Sequence, residues 1–251
     1  MSSACRRRVA AALVVFAATA GVALAQGRFR DGARTVIEPA NVEYDGRFAF
    51  VRLRYEGGFR RDPGWAHDYP KADWHFQRIL AEITLTRAHR DASNILTLDD
   101  PELSRYPIAY MSEPGFWTVS DAEAAGLRAY LQKGGFVIFD DFRGTRDWAN
   151  LEARMAEVLP GARWQPLDAS HPVFHSFFDI HTLVEDGYYG PATFLGLFED
   201  NDPRKRLMAV ANYNHDLGEL WEYSDTGWVP VDVSNEAYKY GVNYVIYAMT
   251  H

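Results

Sequence analysis

Two adjacent carboxylates, Asp140 and Asp141, directly follow the apolar run Phe136-Val137-Ile138-Phe139. Acids at the end of a buried strand can ligate a divalent cation, or one of them can serve as a general base. Neighbours in an extended segment point to opposite faces, so the pair is not expected to share one ion. The structural alternative has one acid capping the following turn and the other pairing with Arg143. A second group is His171-x-x-x-His175, with Asp179 and His181 beyond it. That spacing puts two imidazoles on one helix face, but Pro172 argues against a regular helix, and no Glu stands between them as in zinc proteases. A local turn is the simpler reading, and neither metal nor cofactor is expected. A third group, 212–222, packs His215, Asp216, Glu219 and Glu222 beside Trp221. It reads equally as one wall of a site or as a solvated turn closed by Gly218.

These residues need a scaffold. Phe48–Tyr55 alternates, with Val51, Leu53 and Tyr55 on one face and Arg52 and Arg54 on the other, as in a strand. The loop from Glu56 to Lys71 carries Trp65, His67 and Tyr69, and a long irregular loop in a compact domain is more often functional than idle. Asp73 is placed to cap a helix running to about Arg87. Short strands are expected at Asn94–Leu98 and Ile108–Met111. Ser120 and Glu123 form a capping box for a helix that Gly134-Gly135 stops. The run Phe136–Phe139, apolar on both faces, reads as a central parallel strand. A helix from about Asp147 to Leu159, a strand near Arg163–Leu167, a hairpin of Phe194–Phe198 with Arg206–Tyr213, and a last helix capped by Ser234 complete the chain. Strands alternating with helices predict a mostly parallel α/β sheet.

In such sheets ligands sit beyond the carboxyl ends of the strands. That rule selects the loops Glu56–Pro70, Ser112–Trp117 and Asp140–Arg146. The candidate catalytic residues are Asp140, Asp141, His175 and His215. The candidate ligand-binding residues are Trp65, His67, Tyr69, Glu113, Trp117, Arg143, Asp216 and Trp221. No Gly-rich phosphate loop and no G-x-S-x-G elbow is present.

Composition narrows the context. The 251 residues are 47% hydrophobic and 24% charged, which suits one folded domain with a sizeable core. Residues 1–25 read as an export signal: Arg6, Arg7 and Arg8, an apolar run from Val9 to about Val22, and an A-x-A-like site at Ala23-Leu24-Ala25. An uncleaved anchor is the alternative, although the run is short for a bilayer. Cleavage removes three arginines from the 26 basic residues and leaves 23 against 34 acidic ones, a formal charge of −11. It also removes Cys5, the single cysteine. A periplasmic or secreted location follows, with a lead-in over 26–47 and a single domain over 48–251. Acidity disfavours nucleic acid and anionic membrane surfaces as partners. A local basic patch at Arg52, Arg54, Arg60 and Arg61 is the exception.

Several segments together resemble an exported bacterial family, domain of unknown function 4159. They are Phe50-Val51-Arg52-Leu53-Arg54-Tyr55-Glu56-Gly57-Gly58, Tyr106-Pro107-Ile108-Ala109-Tyr110-Met111, Gly134-Gly135 through Asp140-Asp141, and His171-Pro172-Val173-Phe174-His175. His215-Asp216-Leu217-Gly218 with Trp221-Glu222 and the closing Gly241-Val242-Asn243 complete the set. The resemblance implies a three-layer, flavodoxin-type sandwich related to class I glutamine amidotransferases, to which the hairpin read above adds an antiparallel pair near the C-terminus. Amidotransferases carry their nucleophilic Cys at a strand-to-helix elbow, which here corresponds to the turn after Phe139 and holds no Cys. Two functions are carried forward. The first is a non-catalytic envelope module binding a protein partner or a carbohydrate. The second is a hydrolase of a glycan or similar extracytoplasmic substrate, using Asp and His groups at the sheet edge.

Overall fold

The computed structural model describes residues 40–57 and 63–251. The expected signal, the lead-in up to residue 39, and Arg60 and Arg61 of the basic patch lie outside the described residues. In chain order the strands are β1 (Val51–Arg54), β2 (Glu56–Gly57), β3 (Asn94–Thr97), β4 (Ile108–Ser112), β5 (Trp117–Thr118) and β6 (Phe136–Phe142). They continue with β7 (Gln165–Pro166), β8 (Asp186–Gly187), β9 (Gly190–Pro191), β10 (Thr193–Phe198) and β11 (Leu207–Tyr213). The helices are α1 (Lys71–Ile83), α2 (Asp121–Gln132), α3 (Gly144–Val158), α4 (Leu217–Glu222) and α5 (Val231–Thr250).

Seven strands form one sheet in the order β3-β1-β4-β6-β11-β10-β7. The first five are mutually parallel, and β10 runs antiparallel to both β11 and β7. The β10–β11 hairpin is therefore built into the sheet, since β11 is itself a parallel neighbour of β6. Strand β6 sits between β4 and β11, and all seven of its residues are buried. Both its faces are apolar because helices cover both. Phe136 and Ile138 join a core with Phe76 of α1, Trp221 of α4, and Tyr240 and Tyr244 of α5. Phe139, on the opposite face, stacks on Trp117 at 6.2 Å between ring centroids.

Local chemistry explains most boundaries. Ser120 and Glu123 make the reciprocal capping box at the start of α2, and Gly134 ends the segment at φ +113°. Gly241 of α5 lets two aromatic rings approach: a Cβ there would lie 2.5 Å from Phe76 and 2.6 Å from Trp221. Asn41 exchanges two hydrogen bonds with the backbone of Ile95, so the described end of the lead-in covers the outer strand β3.

Three expectations are corrected. Arg52 is not a solvent-facing residue of an alternating strand; it is fully buried, with its guanidinium 2.5 Å from Asp73. Asp73 accordingly does not cap α1 but lies in its first turn, after Pro70. Ser234 likewise lies inside the first turn of α5, which begins after Pro230. No helix among the described residues is long and apolar enough to cross a membrane.

Candidate functional site

The alternation of β6 sends its two acids in different directions. Asp140 turns into the core shared by α1, α4 and α5. Its Oδ2 accepts hydrogen bonds from Tyr110 Oη (2.8 Å), Leu217 N (2.8 Å) and Gly218 N (3.1 Å), and its Oδ1 accepts from Asn212 Nδ2 (2.9 Å). Asp140 thus caps α4 from a distant strand and ties it to β4 and β11. Burial outweighs these bonds and pushes its carboxyl up to about 7.

Asp141 meets a different environment. It adopts the left-handed conformation at φ +56°, and its amide donates to His215 O at 3.2 Å. Its Oδ2 lies 2.8 Å from His67 Nδ1 and 3.4 Å from Ser112 Oγ, while Oδ1 accepts from Tyr189 Oη at 2.8 Å. The same phenol lies 3.0 Å from Asp216 Oδ2. A phenol carries one proton, so Tyr189 bridges two carboxylates but satisfies them only in turn. Burial, then the charges of Asp141, Asp68 and Asp140, push Asp216 well above the usual carboxyl range.

His67 reaches this point because Arg52 holds its loop from beneath. Arg52 Nη1 donates to the carbonyls of Trp65 (3.0 Å) and His67 (2.7 Å), and its guanidinium also lies over the Tyr110 ring. The His67 side chain is 42% exposed, and Asp68 Oδ1 is 3.3 Å from its Nδ1. Hydrogen bonding to Asp141, then to Asp68, raises the imidazole to about 12, so the ring is cationic at neutral pH. Asp68 is fully buried at its side chain; Oδ1 shares the His67 Nδ1 with Asp141 at the longer distance of 3.3 Å, and no other hydrogen bond reaches its oxygens. Burial raises its carboxyl above the ordinary value, against the lowering effect of His67. Gly218 makes room for it: a Cβ there would stand 2.5 Å from Asp68 Oδ2.

One ligand atom from each of His67, Asp68, Asp141 and Asp216 lies within 4.8 Å of all the others. Asp68, Glu219 and Glu222 form a second such group that shares Asp68. Four non-glycine residues at this sheet edge have positive φ: Asp68, Glu113, Asp141 and Asn214. Strained backbone of this kind persists only where the surrounding structure holds it, and it concentrates at functional sites.

The remaining candidates divide by their surroundings. Glu113 is buried; its amide donates to Asp140 O and its carbonyl accepts from Tyr55 Oη. Arg143 is exposed and lies 4.2 Å from the Tyr189 ring centroid, over Tyr189 rather than paired with either acid of β6. His215 accepts a hydrogen bond from Tyr188 N at its Nδ1, and burial lowers it to about 4, so it is a neutral support for the Tyr188-Tyr189 turn. His175 keeps its contacts within its own turn, to Asp179 and Ala169 O, and does not join the cluster. Trp117 and Trp221 are fully buried, and Trp65 and Tyr69 nearly so, so these rings present little face to a ligand. Trp65 also lines a separate cavity of about 600 Å³ with Arg54, Glu56 and Thr97, at the carboxyl ends of β1 and β3.

Asp68 and Tyr189 escaped sequence reasoning. Asp68 stood beside a residue already singled out, in a loop already flagged. Tyr189 lies between two-residue strands with no period to place it.

No curated protein matches the chain. The sequence profile of the family described as Domain of unknown function (DUF4159) matches residues 49–249, which covers the whole sheet and every residue of the cluster. The chain belongs to the DUF4159 family.

Proposed function

We propose that this protein is a hydrolase of an exported, glycan-type substrate, with His67 and Asp141 at its reacting centre. The observation that carries the reading is the half-exposed imidazole held at Nδ1 by Asp141, on a left-handed turn at the carboxyl end of the central strand. Nδ1 is engaged by carboxylates, so Nε2 is the nitrogen left for a substrate. With Nδ1 so engaged, the Nε2–H donates a hydrogen bond to a substrate oxygen as that oxygen gains charge. Glu219 lies at the rim, half-buried, with its carboxyl pushed up by burial, and is suited to taking a proton from water.

Numbered by chain order, the five parallel strands lie 2-1-3-4-5, the order of flavodoxin-type sheets, whose ligands bind where strand order reverses. The loop carrying His67 follows one of the two strands that flank that reversal, β1, and Ser112 ends the other, β4. In the amidotransferase-like superfamily Asp141 would stand at the elbow, where an Asp in place of Cys leaves no thiol chemistry. Export to the periplasm or medium, through the signal read at residues 1–25, is part of the same reading.

The test is turnover of cell-wall glycan fragments and a panel of chromogenic glycosides by the purified protein. Hydrolysis that falls at least 100-fold in both His67→Ala and Asp141→Asn is expected. Absence of turnover across the panel, or unchanged turnover in His67→Ala, would reject it. A second reading, a binding module for an envelope protein or carbohydrate, is favoured by the burial of Asp141 and Asp216, which leaves mainly His67, Tyr188 and Glu219 reachable. Calorimetric binding of the same fragments without turnover would select it.

A further inference from the structure

We infer that His67, Asp68, Asp141 and Asp216 form a binding site for one divalent first-row transition-metal ion. The inference concerns what the cluster holds and stands apart from whether the protein hydrolyses anything. Its donor atoms lie within 4.8 Å of one another, and a shared ion with bonds of about 2.0–2.2 Å needs only a small contraction of that set.

The acids alone would not make the case; Asp68 does. Its side chain has no solvent exposure, and beyond the 3.3 Å approach of the shared His67 Nδ1 to Oδ1 neither oxygen accepts a hydrogen bond. A buried carboxylate in that state is costly, and buried charges are normally paired or bound to metal. His67 is already engaged by Asp141 at 2.8 Å, and the other nearby cations are committed elsewhere. Arg52 pairs with Asp73 and with two carbonyls, and Arg143 lies over the Tyr189 ring. Three carboxylates therefore face one imidazole, and the single Tyr189 proton is shared between two of them.

The donor set selects the ion. Calcium and magnesium favour all-oxygen ligands, whereas one imidazole with three carboxylates suits manganese, iron or zinc. On binding, His67 gives up its Nδ1 proton to solvent, and the lone pair so freed becomes the fourth ligand. Tyr189 is then placed as an outer hydrogen bond that orients Asp141 and Asp216.

The experiment is titration of the chelator-stripped, dialysed full-length protein with Mn²⁺ and Zn²⁺, with Mg²⁺ as contrast. One equivalent of Mn²⁺ or Zn²⁺ is expected, with Mg²⁺ much weaker. Asp68→Asn should weaken binding at least 10-fold. Pulsed EPR of the Mn²⁺ form should show coupling to one imidazole nitrogen, lost in His67→Gln, and this readout decides the matter if Asp68→Asn does not fold. No stoichiometric binding of either ion, or wild-type affinity in a folded Asp68→Asn, would overturn the inference. Because the readout is binding, its failure leaves the turnover test untouched, and the converse also holds.

Discussion

Two buried charge groups come together in the chain at Asp68 and Asp73 and obey different rules. Arg52 and Asp73 form a closed pair: neither side chain is exposed, the guanidinium has carboxylate and carbonyl partners, and burial, the largest single effect on its charge, is outweighed by the groups around it, Asp73 foremost. Asp68, Asp141 and Asp216 form an open group, with one shared phenol proton and one imidazole that Asp68 shares at longer distance with Asp141. The first group positions a loop. The second is what the loop is positioned for. Complete pairing marks structure here, and incomplete pairing marks a place where something else is meant to bind.

The strongest way to break the comparison is to open the closed pair. Arg52→Met leaves Asp73 buried without a cation and the Trp65 and His67 carbonyls without their donor, at a cost of about 3–5 kcal/mol in urea unfolding. The double variant Arg52→Met/Asp73→Leu should recover much of that loss. A single-variant cost below about 1 kcal/mol, the range of exposed pairs, would place Arg52 outside the scaffold.

Next in size is a pH effect from the support beneath the cluster. His215 is lowered from 6.5 to about 4 by burial, so the stability tied to its neutral form is complete above pH 6.5 and is lost as pH falls toward 4. Asp140, raised from 3.8 to about 7, acts oppositely: its contribution is complete below pH 3.8 and is lost as pH rises through about 7. The two oppose each other between pH 4 and 6.5. His215→Gln removes one of them, so the difference in unfolding free energy between variant and parent should change by roughly 3 kcal/mol across that window. A constant difference would mean that His215 titrates normally.

How much of this was legible depended on how local the cause was. The capping box at Ser120 and Glu123 and the apolar run of β6 are settled within a few residues, and both read correctly. The strand extends past Phe139 through Asp140, Asp141 and Phe142, because its acids are satisfied from α4, β11 and distant loops rather than by solvent. Arg52 misled for a related reason: its partner lies 21 residues away, so local alternation gave it to solvent. Helix α4, six residues long, is too short for a period and is started by Asp216 and the remote Asp140. In the site, His67, Asp141 and Asp216 were each flagged from loop chemistry. That they converge is long-range information, carried by the order of strands.

Smaller effects should come from the open group. Tyr189→Phe removes the one proton that Asp141 and Asp216 share, and should cost about 2 kcal/mol in the metal-free protein, as for a hydrogen bond to a charged group. That cost should shrink when Zn²⁺ or Mn²⁺ is present, because the ion then separates the two carboxylates. An equal cost with and without metal would detach Tyr189 from the cluster.

The smallest expected effect has the opposite sign. Asp68→Asn should stabilise the metal-free protein at neutral pH by about 1 kcal/mol, since a buried amide costs less than a buried carboxylate that has only a share of the His67 imidazole. The pH dependence identifies the cause. Because the folded protein raises the Asp68 carboxyl above its ordinary 3.8, the wild type holds its advantage below that pH and loses it as pH rises through the raised value. The gain from Asn should therefore vanish near pH 3.5 and grow toward neutrality in paired urea titrations. Were the shared imidazole as strong a partner to Asp68 as Arg52 is to Asp73, the substitution would be destabilising at neutral pH, and the contrast between the two buried groups would fail at its most sensitive point.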